Sequence, residues 1–365
     1  MIYLVGSTGL LFALVFIEAW ILRVVKKEDI PWKEVLLNIN SGHILLWVTR
    51  AWTLLGYYWV YDRLGGQWIA EWPFVWQWVF TFFAWDFCYY WSHRMHHEIP
   101  FLWNIHSVHH QGEHFSLSLG VRNSWFQTVT SFPFFSILPL IGVPLETFLA
   151  VSGIHYFIQF YNHNRLVGKS GWLEYVMITP AHHRVHHGCN DVYIDRNHGG
   201  TLVFWDKLFN TFQIEREDIP IEYGLKEKFN SYSPFWANVL PFLQYFGVDT
   251  ESMGKPAAKG RPVPAWYLVS GGMLLIGLLL LYIRHEDSFP LDQLVFLFLI
   301  IFTGTLLIGS MAQEQRFGLK SWIGLTVLGS VVWYGLFGSV GVVLFGGLVV
   351  HGVVGVVLLS KKNQS

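Results

Sequence analysis

"WPFVWQWVFTFFAWDFCYYWSHRMHHE", residues 72–98, holds two features in direct succession. Residues 72–91 form an apolar run long enough to cross a bilayer, and its tryptophans suit the membrane interface. The run then passes without a break into His93, His96 and His97. His93 and His97 are four apart, so a continuing helix puts them on one face, and Pro100 stops that helix soon after. A spanning helix that delivers imidazoles at its polar end predicts a membrane protein with chemistry gathered at one face.

The composition agrees. Hydrophobic residues make up 53% of the 365, aromatics 18% and charged residues 13%. A soluble domain is nearer one quarter charged. Lys+Arg 24 against Asp+Glu 25 offers no polyanion-binding field, so nucleic acid is not a partner. Cys88 and Cys189 are too few for a disulfide framework or a Cys-based zinc site, and Cys189 reads as an ordinary thiol. Histidine numbers 17, and fourteen of these lie between His93 and His198.

Further apolar runs lie at 2–24, at 42–60 despite Arg50, and at 265–283, 291–311, 321–335 and 339–360. The first has no basic residue before it and no small-residue cleavage pattern after it, so it reads as an uncleaved anchor. Residues 129–160 are apolar but broken by Pro133, Pro139 and Pro144, which suggests a two-helix hairpin or a re-entrant pair. The last two runs are glycine-rich, which permits close helix packing.

The expected fold is all-α: a polytopic integral membrane helical bundle with a histidine-rich helical cap. Arg23, Lys26, Lys27 and Lys33 follow the first span and put its C-terminal end in the cytosol. Alternation from there puts the histidine cap on the cytosolic side. Residues 1–90 read as N-terminal anchor helices, and residues 91–250 as a catalytic region containing the hairpin at about 129–160. Residues 251–264, "ESMGKPAAKGRPVP", read as a linker, and residues 262–365 as a four-helix transmembrane region.

Two further clusters match the first. "HSVHH" holds His106, His109 and His110, and "HRVHH" holds His183, His186 and His187, both at i, i+3, i+4. Imidazole suits iron, zinc, copper and nickel. Eight spaced histidines exceed the four that one tetrahedral zinc needs, so two metals are expected. Soluble di-iron bundles use carboxylates, yet residues 93–187 contain only Glu98, Glu113, Glu146 and Glu174 as acids. His96 shares a face with His93 and is an alternative to His97. His96 and His182 otherwise read as neighbours that support the ligands. Asp86 lies about two turns before His93. It reads as an acceptor for a ligand's other ring N–H, or as the partner of Arg50 or Arg94. His155 reads as buried and hydrogen-bonded, and His43, His285 and His351 as structural.

These segments resemble the fatty acid hydroxylase / sterol desaturase superfamily of membrane di-iron oxygenases. "DFCYYWSHRMHHE", "WNIHSVHHQGE" and "TPAHHRVHHGCNDVYIDRNHGGTLVFWDKLFNTF" are similar to its three histidine boxes, and the likeness covers roughly residues 80–215. Within the superfamily they most resemble the alkylglycerol monooxygenase branch. The resemblance implies metal ligands at His93, His97, His106, His109, His110, His183, His186 and His187, and adds His163 in "QFYNHN". Where other members have a second histidine four residues earlier, this chain has Gln159. His114 and His198 also depart from the family pattern, and the resemblance does not make them ligands. The family has an acid at the place of Asp86.

The resemblance further implies two iron ions, with zinc a possible substitute, and dioxygen as co-substrate. It implies hydroxylation of a C–H bond in a membrane lipid: an ether lipid, a fatty acyl chain or a sterol-like molecule. Electrons would come from a separate donor, a reduced pterin, a ferredoxin or a b-type cytochrome. Arg122, Arg165, Arg184, Arg196 and Lys207 are candidate headgroup contacts; the substrate-binding residues are otherwise open, as is the oligomeric state. Two alternatives stand: a lipid desaturase using the same metals, and a non-catalytic membrane protein that binds zinc.

Overall fold

The structure is a computed structural model that describes residues 2–44, 50–257 and 262–360. Side chains at 2–4, 42–44 and 50–51, including His43 and Arg50, lie outside the description, as do residues 258–261 of the expected linker. The helices run α1 (Ile2–Val24), α2 (Trp32–Ile44), α3 (Arg50–Arg63), α4 (Phe74–Glu98), α5 (Pro100–His110), α6 (Gln127–Phe135), α7 (Ile137–Leu140), α8 (Leu145–Asn162), α9 (Pro180–His186), α10 (Phe204–Leu208), α11 (Pro234–Tyr245), α12 (Ala265–His285), α13 (Leu291–Ala312), α14 (Gly318–Phe337) and α15 (Val342–Ser360). Among the described residues extended pairing is limited to two isolated bridges, Met177 with Leu202 and Gly188 with Tyr223. The all-α expectation holds.

Among the described residues, five helical segments are long and apolar enough to cross a membrane: Val5–Val24, Ala265–His285, Leu291–Ala312, Gly318–Phe337 and Val342–Ser360. The first and the last four match the expected spans. The expected span at 42–60 falls partly on residues 45–49, which lie outside the described residues; the parts described on either side, the end of α2 and α3, are helical. α4 has 25 residues, and Trp, Tyr and Asp86 lower its hydropathy. Its outer face nevertheless exposes Phe74, Val75, Trp76, Val79, Phe83 and Phe87, a surface that lipid would cover.

Two apolar cores organise the chain. One joins α1 and α2 to α12–α15, with Val15, Leu36, Tyr267, Leu275, Trp322 and Trp333 fully or nearly buried. The other joins α3, α4 and α6–α8 around Tyr57, Trp85, Phe135 and Val151. In the first core a polar tie replaces some apolar contact. Trp322 Nε1–H donates to His351 Nδ1 at 2.9 Å, and His351 Nε2 lies 3.0 Å from the Tyr267 carbonyl. Gly304 sits directly against Leu275, and Gly355 against Tyr267 and Ile323, so the absence of a side chain lets these helices close up.

The prolines divide the predicted hairpin into α6 and α7, a turn, and the longer α8. The turn depends on Gly142. Its φ is +87°, and a Cβ there would run into the Gly66 carbonyl. Pro100 acts as expected: Ile99 is extended, α4 stops, and Pro100 opens α5 at its first turn. The reversal brings the end of α4 against α5, while α8 packs on α4 and α9.

Candidate metal centre

Four elements bring the histidines together. α4 carries His93 and His97 on its last turns, α5 carries His106, His109 and His110, His163 caps α8, and α9 carries His183 and His186 with His187 at its end. All nine side chains gather in two groups. His93, His97, His106, His110 and His186 form the first; His109, His163, His183 and His187 form the second. Within each group the ring nitrogens lie within 4.8 Å of one another.

The two HxxHH boxes do not each serve one group. In α5 the i, i+4 pair His106 and His110 joins the first group, and His109 turns to the second. In α9 the pair His183 and His187 joins the second, and His186 turns to the first. Successive residues on a helix are about 100° apart, so i and i+4 differ by about 40° and i+3 falls on the other side of i. Each short helix therefore lies between the groups and serves both.

The ring orientations suit cation binding. His93 Nδ1–H donates to the His198 carbonyl at 2.8 Å, His109 Nδ1–H to the Arg122 carbonyl at 2.7 Å, His163 Nδ1–H to the Gln159 carbonyl at 2.8 Å, and His186 Nδ1–H to the Arg196 carbonyl at 2.9 Å. Each of these Nε2 atoms is then unprotonated in the neutral ring. Yet His109 Nε2 lies 3.2 Å from His163 Nε2, so two lone pairs face each other. In the first group His97 Nε2 and His186 Nε2 are buried without a partner. Converging, desolvated lone pairs are costly unless a cation lies among them. Burial first, and then the neighbouring imidazoles, push His97, His106, His110, His183 and His187 well below the usual histidine range. Burial also pushes His109 down to about 4. The neutral form is the one that binds metal. The residues fit a two-metal centre.

Other expected supports fall elsewhere. Asp86 accepts from no ligand. It takes the N–H groups of Thr201 at 2.9 Å and Leu202 at 3.1 Å and the Trp205 indole N–H at 3.0 Å, and lies 3.6 Å from His155. Arg94 instead bonds Glu98 and Tyr90. Asp86 is thus an anchor for residues 201–205, while the ring N–H groups of His93, His109, His163 and His186 go to backbone carbonyls and His97 Nδ1 lies beside Asp195. His96 bonds the Ser92 carbonyl and Thr130 Oγ1, and joins neither group. His182 also stands outside both and packs on Phe212. His155 is buried between Phe82 and Trp85, with Nδ1 2.5 Å from Thr201 Oγ1.

A cavity of about 690 Å³ opens onto His97, His110, His186 and His187, and so touches both groups. Trp103, Phe229, Leu240 and Tyr245 give it apolar wall, and Asp195, Glu227, Glu251, Lys226, Lys228 and Lys255 give it charged wall of both signs. None of the five basic headgroup candidates lines it. Arg122 is 1% exposed and spends its guanidinium on Val108, Asn38 and Gln111. Arg165 and Arg184 pair with Glu28 and Glu215, Arg196 reaches the Asn210 carbonyl, and Lys207 reaches the Tyr175 carbonyl. Met253, Gly254 and Lys255 of the expected linker form cavity wall, and α13 holds this stretch through Gln313. No sequence signal marks these residues, since they lack periodicity and meet the histidines only through the fold. The first helices also reach the site. Glu18 accepts the N–H groups of Leu117 and Arg165, and Glu34 accepts that of His114, which fixes the loops beside His109 and His163.

Residues 78–211 match the family model described as fatty acid hydroxylase. The chain is 34% identical over 240 residues to alkylglycerol monooxygenase from Homo sapiens, a match covering 64% of this chain and 52% of that protein. Against the Xenopus tropicalis alkylglycerol monooxygenase it is 38% identical over 168 residues, 46% of this chain and 37% of the relative. Against the ornithine lipid hydroxylase OlsE from Rhizobium tropici it is 33% identical, over 44% of this chain and 49% of the relative. The chain thus spans about half or less of the length of these relatives. No solved structure matches. The family resemblance read from the histidine boxes stands.

Proposed function

We propose that this relative of the fatty acid hydroxylases is a membrane-bound oxidoreductase that uses two irons and dioxygen to hydroxylate a C–H bond of a lipid. The observation that carries the reading is the convergence of nine histidines, eight buried and His97 partly so, into groups of five and four beside an amphiphilic cavity. His93, His97, His106, His110 and His186 would hold one metal, and His109, His163, His183 and His187 the other. Bound ferrous ions would supply electrons to dioxygen and the oxidising power to break an unactivated C–H bond.

The chain's own residues do the rest. The backbone carbonyls of His198, Arg122, Gln159 and Arg196 orient the imidazoles. The cavity wall at Trp103, Phe229, Leu240 and Tyr245 takes apolar chain, and its charged and polar wall takes the polar end of the lipid. A separate reduced pterin, ferredoxin or b-type cytochrome supplies further electrons. The basic residues after α1 support a cytosolic position for this face.

One observation speaks against a purely structural zinc pair: the five donors of the first group exceed a tetrahedral set.

The test is metal analysis of purified protein with oxygen uptake on ether lipid, acyl lipid and sterol. Two irons, lipid-dependent uptake and product heavier by one oxygen support the reading. Loss of two hydrogens instead identifies a desaturase. Tightly held zinc without turnover refutes both in favour of the non-catalytic alternative.

A further inference from the structure

One short loop holds three of the five first-group imidazoles. The carbonyls of Arg196 and His198 accept from His186 and His93, and Asp195 Oδ1 lies 3.2 Å from His97 Nδ1. These three ligands come from α4 and α9, far apart in the chain, yet their acceptors lie within residues 195–198. The second group's orienting acceptors are the carbonyls of Arg122 and Gln159. The Arg122 guanidinium reaches back to Asn38 on α2, so the acceptor of His109 is braced from outside this loop.

The loop is built to hold its shape. Asp195 and Asn197 both have φ of +55°, a left-handed conformation that Asp and Asn adopt more readily than other residues with a Cβ. Asn197 is fully buried and bonds the carbonyls of His182 and Gln213 and the Gln213 N–H. Asp206 accepts the N–H groups of His198 and Gly199. The His198 ring is fully buried, with its centroid 4.9 Å from that of His97 and 5.7 Å from that of His93. Both of its ring nitrogens are buried without a hydrogen-bond partner.

We propose that residues 195–198 are a positioning element for the first metal position, orienting three of its five imidazoles, so that loss of this loop's acceptors loosens that metal more than the other although α5 and α9 carry ligands of both. The inference rests on the two-metal reading above. An acceptor on the outer ring nitrogen fixes the tautomer and the rotation of the ring and strengthens the inner nitrogen as a donor. Removing such an acceptor typically lowers metal affinity about 10- to 100-fold. Asp195→Gly removes the acceptor and tolerates the positive φ, while Asp195→Asn keeps an acceptor oxygen at the same place.

The experiment uses the full chain in detergent, loaded with ferrous iron or cobalt. It follows metal per chain, release to a chelator, and the cobalt absorption spectrum. Wild type is expected to hold two metals and release them in two phases. Asp195→Gly should speed one phase about 10- to 100-fold, affect the other less and alter part of the cobalt spectrum. Asp195→Asn should restore wild-type release. A single wild-type phase, equal acceleration of both phases, or no effect of Asp195→Gly overturns the proposal. Wild-type protein that binds no metal refutes the two-metal reading instead.

Discussion

Arg122→Lys separates a structural arginine from a substrate-binding one. The guanidinium donates to the Val108 carbonyl at 2.7 Å, Asn38 Oδ1 at 3.1 Å and Gln111 Oε1 at 2.5 Å, and the residue is 1% exposed. Burial pushes it down to about 10, so it stays charged at neutral pH. These three acceptors lie in directions that a planar fork satisfies together and an ammonium does not. Lysine keeps one bond and strands two acceptors. A hydrogen bond to a charged group contributes about 1.5–3 kcal/mol, so two lost bonds cost about 3–6 kcal/mol. Partial re-pairing by the ammonium brings the expected loss to about 4 kcal/mol, a large part of a typical stability of about 5–15 kcal/mol. Denaturant titration of detergent-solubilised protein, followed by far-ultraviolet circular dichroism, reads this directly. KM for the lipid should stay within about twofold, since Arg122 does not line the cavity. A loss below about 1 kcal/mol with a clear rise in KM would refute the structural assignment and restore Arg122 as a headgroup contact.

Three further outcomes follow from the same geometry. His186→Ala removes a first-group ligand and should lower bound metal from two per chain towards one and abolish lipid-dependent oxygen uptake, whereas His182→Ala should keep both metals; equal metal loss in the two variants counts against the assignment. Asp86→Asn places an amide donor against backbone or indole N–H groups and should cost about 3 kcal/mol in the same titration, and wild-type stability would show that Asp86 is not the anchor of residues 201–205. Gly142→Ala meets both a positive φ and the Gly66 carbonyl and should cost at least about 2 kcal/mol, with a neutral effect ruling out the tight α7–α8 turn.

Hydropathy and spacing already specify much of this molecule. The first and last four spans are legible because a bilayer demands about 20 apolar residues in a row, a local property. The α4–α5 break is legible because Pro100 acts on its immediate neighbours. The box histidines are legible because i, i+3, i+4 repeats on a helix are also local. Three features are not local. The pairing of His93 with His186, and of His109 with His163, joins residues far apart in the chain and depends on how α4, α5, α8 and α9 rotate against one another. Helical spacing states which histidines share a side of one helix, but not which metal position that side faces. The roles of Asp86 and Arg122 depend on which N–H and C=O groups the fold leaves beside them. The sequence alone therefore determined a helical membrane protein with imidazole boxes, and only tertiary packing decided the five-and-four division, the loop that braces one group, and the cavity that meets both.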